Sequence, residues 1–334
     1  MGMKNTYVIK RILYSIFVFA VVITLNFFIP RIGVDDPAER YYPPQGNMTD
    51  IEYEIIKQVT RQQYGFHVST WQQYLNYLKG LSKGDLGKSF RPGSPAVIDL
   101  IMERLPWTLV LSVSTLLIGL VIGVAFGVIA ATKRGQWQDT LLLNASTIMV
   151  AVPGFFIALL LSFYLGFELE IFPAYTDSNM VANFDWSWAA IKTVMYNATV
   201  PVLSMAVGSI IGHAQGTRNA VIAVTNEDFI LTAKAKGLKP GTIRYKHILR
   251  NAMLPIVTSL GMSISGLIGG QVVIEQVFNW NGMGTLFLEA NNTNDYPLMM
   301  GIMLLLSGFT IFAILVTDLV YVLLDPRVTV GDKR

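Results

Sequence analysis

Glu227–Pro255 reads EDFILTAKAKGLKPGTIRYKHILRNAMLP, a basic stretch set between long apolar runs. Acids at Glu227 and Asp228 suit the positive end of a helix dipole, and Thr225 or Asn226 stands where an N-cap belongs. Phe229, Ile230, Ala233 and Leu238 supply apolar contacts. Gly237 stands where a helix ends on a left-handed residue, and Pro240 prevents continuation. Gly241–Leu254 then reads as a basic helix running into Leu254-Pro255 and the next apolar run. Setting topology requires only charge. It does not require a well-punctuated helix of small and apolar residues between the charges. A helix offered to a groove on a partner does require one.

Outward from this loop the chain is made for lipid. It is 52% hydrophobic and 14% charged, with a mean hydropathy of +0.48. About 20 mostly apolar residues cross the roughly 30 Å of hydrocarbon in a bilayer. Six segments have that length: about 9–30, 106–131, 140–166, 198–217, 255–277 and 297–324. Lipid offers no partners to free backbone groups, so each is expected to be helical. The first has the basic start of a signal peptide. Its apolar run extends through Phe28 and no small-residue cleavage pattern follows, so it reads as a retained helix. Cysteine is absent, which excludes disulfides and leaves the redox compartment open.

The +3 net charge divides unevenly once the spans alternate. With the N-terminus inside, the inner segments hold fifteen of the 25 Lys and Arg residues against five acids: Asp139, Glu227, Asp228, Asp325 and Asp332. The outer segments hold ten basic and sixteen acidic residues, Glu275 included. The positive-inside rule therefore predicts N-in and C-in. The expected fold class is an all-α membrane protein with six transmembrane helices and an external subdomain between helices 1 and 2. Its divisions are 1–30 (N-terminus and first helix), 31–105 (external subdomain), 106–324 (five-helix core with cytoplasmic loop 218–254) and 325–334 (cytoplasmic tail).

The external segment carries nine basic and nine acidic residues and reads as an ordered unit. Met48–Gln63 is predicted helical, with Thr49 or Asp50 as cap and Ile51, Ile55, Ile56 and Val59 at helical spacing. Trp71, Tyr74, Leu75 and Leu78 mark a second amphipathic stretch. Turn formers fill GDLGKSFRPGSP, and Val97–Arg104 approaches the second span. Two roles are open to this unit: a cap that stabilises the outer mouth, or a docking surface for an external partner.

Small residues recur every fourth position inside the spans: Gly119, Gly123 and Gly127; Gly208, Gly212 and Gly216; Gly261, Ser265 and Gly269. Such stripes let helix backbones approach closely, and tight packing is the first reading. Asp318 is an acid inside the last span, read first as a structural anchor that pairs at the basic inner end, with a cavity role as the second reading. His213 reads as an interfacial hydrogen bonder, and Asn26, Asn144 and Gln271 as residues that bond across helices.

Much chemistry is excluded. The chain has no GxxxxGK[ST] phosphate loop, HExxH, CxxC or GxSxG. No chain of acids and histidines runs through the spans, which argues against a proton-driven carrier. ATP-driven transport would place the nucleotide on another polypeptide.

DFILTAKAKGL followed by RYKHILRNAMLPIVT, GDLGKSF before the second span and VYVLLDPRV near the C-terminus together resemble the permease subunits of dipeptide/oligopeptide ABC importers. The resemblance covers nearly the whole length, including the order of one helix, a large external segment and five more helices. Leu231 departs from the general importer pattern, standing where many such permeases have the glutamate of Glu-Ala-Ala. The gap to Leu254-Pro255 is also longer, as in the peptide-type branch.

The resemblance implies a non-catalytic pore subunit in a prokaryotic inner or plasma membrane. Its partners would be a second homologous permease, two ABC ATPase subunits holding ATP and Mg, and an extracellular solute-binding protein. No cofactor would sit on this chain, and no nucleic acid is implied. The helix received by the ATPase would be formed around Asp228, Phe229, Thr232, Ala233, Lys234, Ala235, Lys236 and Gly237. Oligopeptide is the favoured cargo, with oligosaccharide or a metal chelate as alternatives. Trp186, Trp188 and Trp280 would stack on sugar rings or form the interfacial aromatic belt. Readings from other classes are a secondary transporter or channel working alone, and a membrane-anchored sensor.

Overall fold

The computed structural model describes residues 2–32, 38, 49–91, 93–177, 184–265 and 271–324, and it is all-helical there apart from one isolated bridge, Lys88 to Ala96. Among the described residues four helices are long and apolar enough to cross a membrane: Tyr7–Arg31, Val97–Thr132, Trp188–Thr225 and Tyr296–Val320. A bent pair makes a fifth if counted as one span.

Helix α1 (Gly2–Phe28) ends in a 3-10 turn, Ile29–Arg31. The external helices are α2 (Asp50–Gln63) and α3 (Thr70–Leu81). Thr49 caps α2 through a full capping box: the Glu52 N–H donates to Thr49 Oγ1 at 3.3 Å, and the Thr49 N–H donates to Glu52 Oε2 at 3.0 Å. Ser69 caps α3 by accepting from the Gln72 N–H at 3.3 Å. The hydroxyls of Thr24 and Tyr74, 2.8 Å apart, tie α3 to α1.

Helix α4 (Val97–Thr132) is longer than the predicted 106–131 span, because Val97–Arg104 joins it in one rod through Pro106. Likewise α7 (Trp188–Thr225) overruns 198–217 at both ends and contains Pro201. Both helices run on through their prolines, Pro106 on an exposed face and Pro201 buried. These two form the most extensive helix pair in the chain.

The predicted 140–166 span is broken. Helix α5 (Trp137–Ala151) and α6 (Gly154–Leu161, continued by a π turn at Ser162–Glu168) meet at 97°. Pro153 explains the break: the residue before a proline avoids the helical region, and Val152 is extended at φ −98°, ψ 117°.

After the short α8 (Asp228–Ala235), a turn at Pro240–Thr242 and a π turn at Ile243–Leu249 lead into α9 (Arg250–Ser265). Residues 266–270 lie outside the described residues, so Gly269 does too, and α10 (Val272–Val277) follows. Thus 255–277 is not described as one continuous span. Helices α11 (Met283–Asn292) and α12 (Tyr296–Leu324) complete the described fold.

Lipid tails are as apolar as leucine, so helices in a bilayer associate through close packing and polar contacts. Gly119, Gly123 and Gly127 lie directly on α7: a Cβ at Gly123 would stand 2.7 Å from the Ile210 carbonyl oxygen and 2.8 Å from His213 Cβ. Gly261 lies equally close to Thr317 of α12, at 2.6 Å from its Cβ. Gly208, Gly212 and Gly216 pack against nothing among the described residues, since a Cβ on any of them meets nothing there within 4 Å. They form an exposed stripe because α4 occupies the opposite side of α7.

Two polar cross-links form as the residue types suggested. Asn26 donates to the Met300 carbonyl at 2.8 Å, and Gln271 donates to Ser112 Oγ at 2.6 Å. Each is worth about 1 kcal/mol in such a setting. Asn144 instead lies exposed on α5 and makes no hydrogen bond among the described residues.

Candidate functional site at the basic face

Helix α8 is short, and an isolated helix of this length is unstable in water. Its stability comes from two side chains. Ile230 and Ala233, three apart and both buried, pack on Ile243 and the partly buried Ile248. Neither Thr225 nor Asn226 caps it. Thr225 donates back to the Val221 carbonyl at 2.7 Å, Asn226 closes α7, and Glu227 is the N-cap through its backbone, with Ile230 N–H on Glu227 O at 2.9 Å. Threonine hydroxyls near helix ends commonly choose the preceding turn.

The C-terminus follows the predicted chemistry. Gly237 has φ +70°, its N–H donates to Lys234 O at 2.9 Å, and the Leu238 N–H donates to Ala233 O at 3.4 Å. This pair of bonds is the Schellman arrangement, which satisfies two terminal carbonyls. Pro240 then opens the next turn at its first position.

What α8 leaves outside matters most. Phe229, Leu231 and Leu238 are exposed, and so is Tyr245 of the π turn. Around them stand Lys234, Lys236, Lys239, Arg244, Lys246 and Arg250, all exposed. Asp228, Thr232 and Ala235 share this outer surface, whereas Ala233 belongs to the inner contact. An apolar centre with a basic rim fits a partner groove with an acidic edge.

The base of α8 connects onward. Ile248, packed against the Ile230 cluster, also packs against Ala220, Val221 and Ala252, with Val128 and Ala131 of α4 beside them. The packing under α8 therefore continues to the ends of α4, α7 and α9. Nearby, Arg218 of α7 donates to both carboxylate oxygens of Asp139 on α5, at 2.5 and 3.1 Å, and the Gly135 N–H adds a third bond at 2.9 Å. Asp318 of α12 pairs with Arg11 of α1 at 3.2 Å. His213 lies in the α4–α7 seam and makes no hydrogen bond among the described residues.

Two acids that sequence reasoning did not single out organise the opposite end. Glu275 is fully buried. It accepts from the Thr108 hydroxyl at 2.6 Å and from the N–H groups of Gly284 and Thr285 at 2.7 and 3.2 Å. Thr108 Oγ1 accepts from the Met283 N–H at 2.7 Å. Gly282, the N-cap of α11, has no side chain, so remote groups cap that helix. Asp295 accepts from the Leu298 N–H at 3.2 Å, from the Phe90 N–H at 3.1 Å, and from the Ser89 hydroxyl. It thereby caps α12 and holds the GDLGKSF segment. Turn formers ahead of Asp295 and Pro297 were the only sequence trace of this cap. Trp280 is buried, with Nε1 donating to the Trp107 carbonyl at 3.0 Å, so it is not free to stack on a sugar; Trp186 and Trp188 are exposed.

The fold is that of a multi-helical membrane component with an exposed helix on a basic face. Residues 123–330 match the family model described as "Binding-protein-dependent transport system inner membrane component", and the chain belongs to that family. It is 33% identical to the oligopeptide transport system permease protein AppB of Bacillus subtilis (strain 168), over 96% of this chain and 98% of the relative. It is 31% identical to the dipeptide transport system permease protein DppB of the same organism, over 98% and 99%. Identity to the glutathione transport system permease protein GsiC of Escherichia coli O6:H1 is 32%, over 96% and 98%.

Proposed function

We propose that this chain is one of two related pore subunits in an ATP-driven importer that carries short peptides into the cell. The observation that carries the reading is the seating of α8: two side chains grip its own chain, and Phe229 and Leu231 face outward within a basic surface. Near full-length similarity to permeases named for oligopeptides, dipeptides and glutathione supports peptide cargo.

On this reading the chain crosses the membrane six times with both ends inside, in a prokaryotic inner or plasma membrane. A second permease completes the pathway, and lipid surrounds both. Two ATPase subunits hold ATP and Mg and receive α8 in a groove through Asp228, Phe229, Thr232, Lys234, Ala235 and Lys236, while Ala233 and Gly237 fix its pose. The chain itself performs no catalysis. An extracellular binding protein delivers cargo to the outer face, to which residues 31–105 contribute. ATP binding closes the ATPase pair, moves α8 and opens the pathway outward; hydrolysis resets it. Arg11–Asp318 acts as an anchor between the first and last helices, and His213 as part of the packing seam.

The test is uptake in vesicles that hold this chain with its co-purifying partners, ATP inside and binding proteins outside. Labelled peptide is expected to accumulate only with ATP. Uptake of oligosaccharide or metal chelate in place of peptide would change the cargo. Uptake without ATP would overturn the coupling role of α8.

A further inference from the structure

A cavity of about 410 Å³ lies between the turn after α1, the external helices α2 and α3, and the start of α12. That is within the size range of small-ligand pockets. Phe27, Tyr64, Phe66, Tyr77, Phe90 and Tyr296 wall it. The rings brace one another: Tyr64 and Phe90 lie 4.4 Å apart edge-on, Phe66 and Phe90 5.9 Å, and Phe27 and Tyr77 5.4 Å. Burial pushes the Tyr77 hydroxyl up to about 12, so it stays protonated.

Arg31 is the unusual member. Its guanidinium lies over the Phe27 ring at 3.8 Å, and Nη1 donates to the Phe27 carbonyl at 2.7 Å and to Met300 Sδ at 3.2 Å. Nε is buried and has no acceptor among the described residues. Among the described residues no carboxylate forms an ion pair with Arg31. Arg31 as a whole is half-buried, and a cation with its Nε shut off from solvent gains from an anion beside it. Among the described residues the other charges lining the cavity are Lys88 and Asp85, so the described lining is positive on balance.

We propose that this cavity binds a small amphipathic carboxylate, such as the free C-terminal end of a short peptide, with Arg31 as its anchor. One guanidinium edge balances one negative charge, which suits a monoanionic carboxylate better than a dianionic phosphate. The aromatic walls take an apolar side chain next to that group. The site is distinct from α8 and from the α4–α7 seam, and its ligand chemistry follows from its own lining. It stands or falls independently of peptide uptake.

The experiment uses the full chain in phosphatidylcholine nanodiscs, titrated calorimetrically with N-acetyl-phenylalanine and with N-acetyl-phenylalanine amide. The carboxylate is expected to bind at least tenfold more tightly than the amide. Arg31→Gln is expected to abolish that difference, and Arg31→Lys to retain part of it. The carboxylate–amide comparison on the unaltered chain decides the matter even if the variants fold poorly. Equal binding of both probes, no binding at millimolar concentration, or displacement of the carboxylate by added phosphatidylglycerol at equimolar levels would overturn the proposal.

Discussion

Arg218 and Asp139 form a two-pronged ion pair that fastens the C-terminal part of α7 to the first turn of α5, near the base of α8. Both side chains are largely buried, at 14% and 4% exposure. Removing either partner strands a charge.

A double-mutant cycle with Asp139→Asn and Arg218→Gln should therefore give a coupling energy of about 0.5–3 kcal/mol. The double variant is expected to lower the thermal midpoint of the purified chain by less than the sum of the two single losses, because it leaves neither charge stranded. Additive losses would mean that the two do not act as a unit.

Gly237 sits at φ +70°, where a β-branched residue is strained by about 1–2 kcal/mol. Gly237→Val should twist the end of α8 and separate ATP hydrolysis from uptake, while the complex still co-purifies. Substrate-stimulated ATPase at the unaltered level in that variant would sink the coupling role.

Two glycines on different sides of α4 and α7 should behave oppositely. Gly123→Ala drives a methyl into the Ile210 carbonyl and should destabilise the isolated chain, whereas Gly212→Ala meets nothing within 4 Å and should not. Thermal unfolding of the purified chain reads this directly. If Gly212→Ala then impairs uptake in the assembled transporter, the exposed stripe contacts another subunit or lines the pathway.

Asp295→Ala removes an N-cap, worth about 0.5–2 kcal/mol, and also the acceptor of the Phe90 N–H. Hydrogen exchange at Phe90 should accelerate together with exchange at the start of α12. Acceleration at only one of them would show that the carboxylate does not join the two segments.

Acidification should loosen α2. The N–H and hydroxyl of Thr49 hold the Glu52 carboxyl below the usual carboxylate range. A depressed folded value means that the contribution is present above the ordinary value of about 4.3 and disappears as pH falls through the lower folded value. The Thr49 amide proton signal should shift across that acidic window, and Glu52→Gln should flatten the response.

Local chemistry was legible in the sequence; tertiary choices were not. The Thr49 cap, the Gly237 terminator and the long apolar helices α1, α4, α7 and α12 follow from spacing and turn residues close in the chain. The 97° break at Pro153 hid inside an apolar run long enough to span. Glu275 and Asp295 escaped notice because they cap helices and hold loops across large sequence separations. Hydropathy cannot separate Ile230, which faces inward, from Phe229, which faces outward; the position of Ile243 decides it. Trp280 looked like a surface aromatic and is core, since its indole N–H finds the Trp107 carbonyl.

The economy of α8 has an evolutionary consequence. Among the described residues the buried side chains of α8 are Ile230 and Ala233, so most of its other side chains are free of the demands of core packing. If α8 seats in an ATPase groove as proposed, drift at Phe229, Leu231 and Lys234 can change which ATPase the chain accepts without unsettling the membrane helices. Closely related copies in one cell can diverge into machines that do not exchange parts.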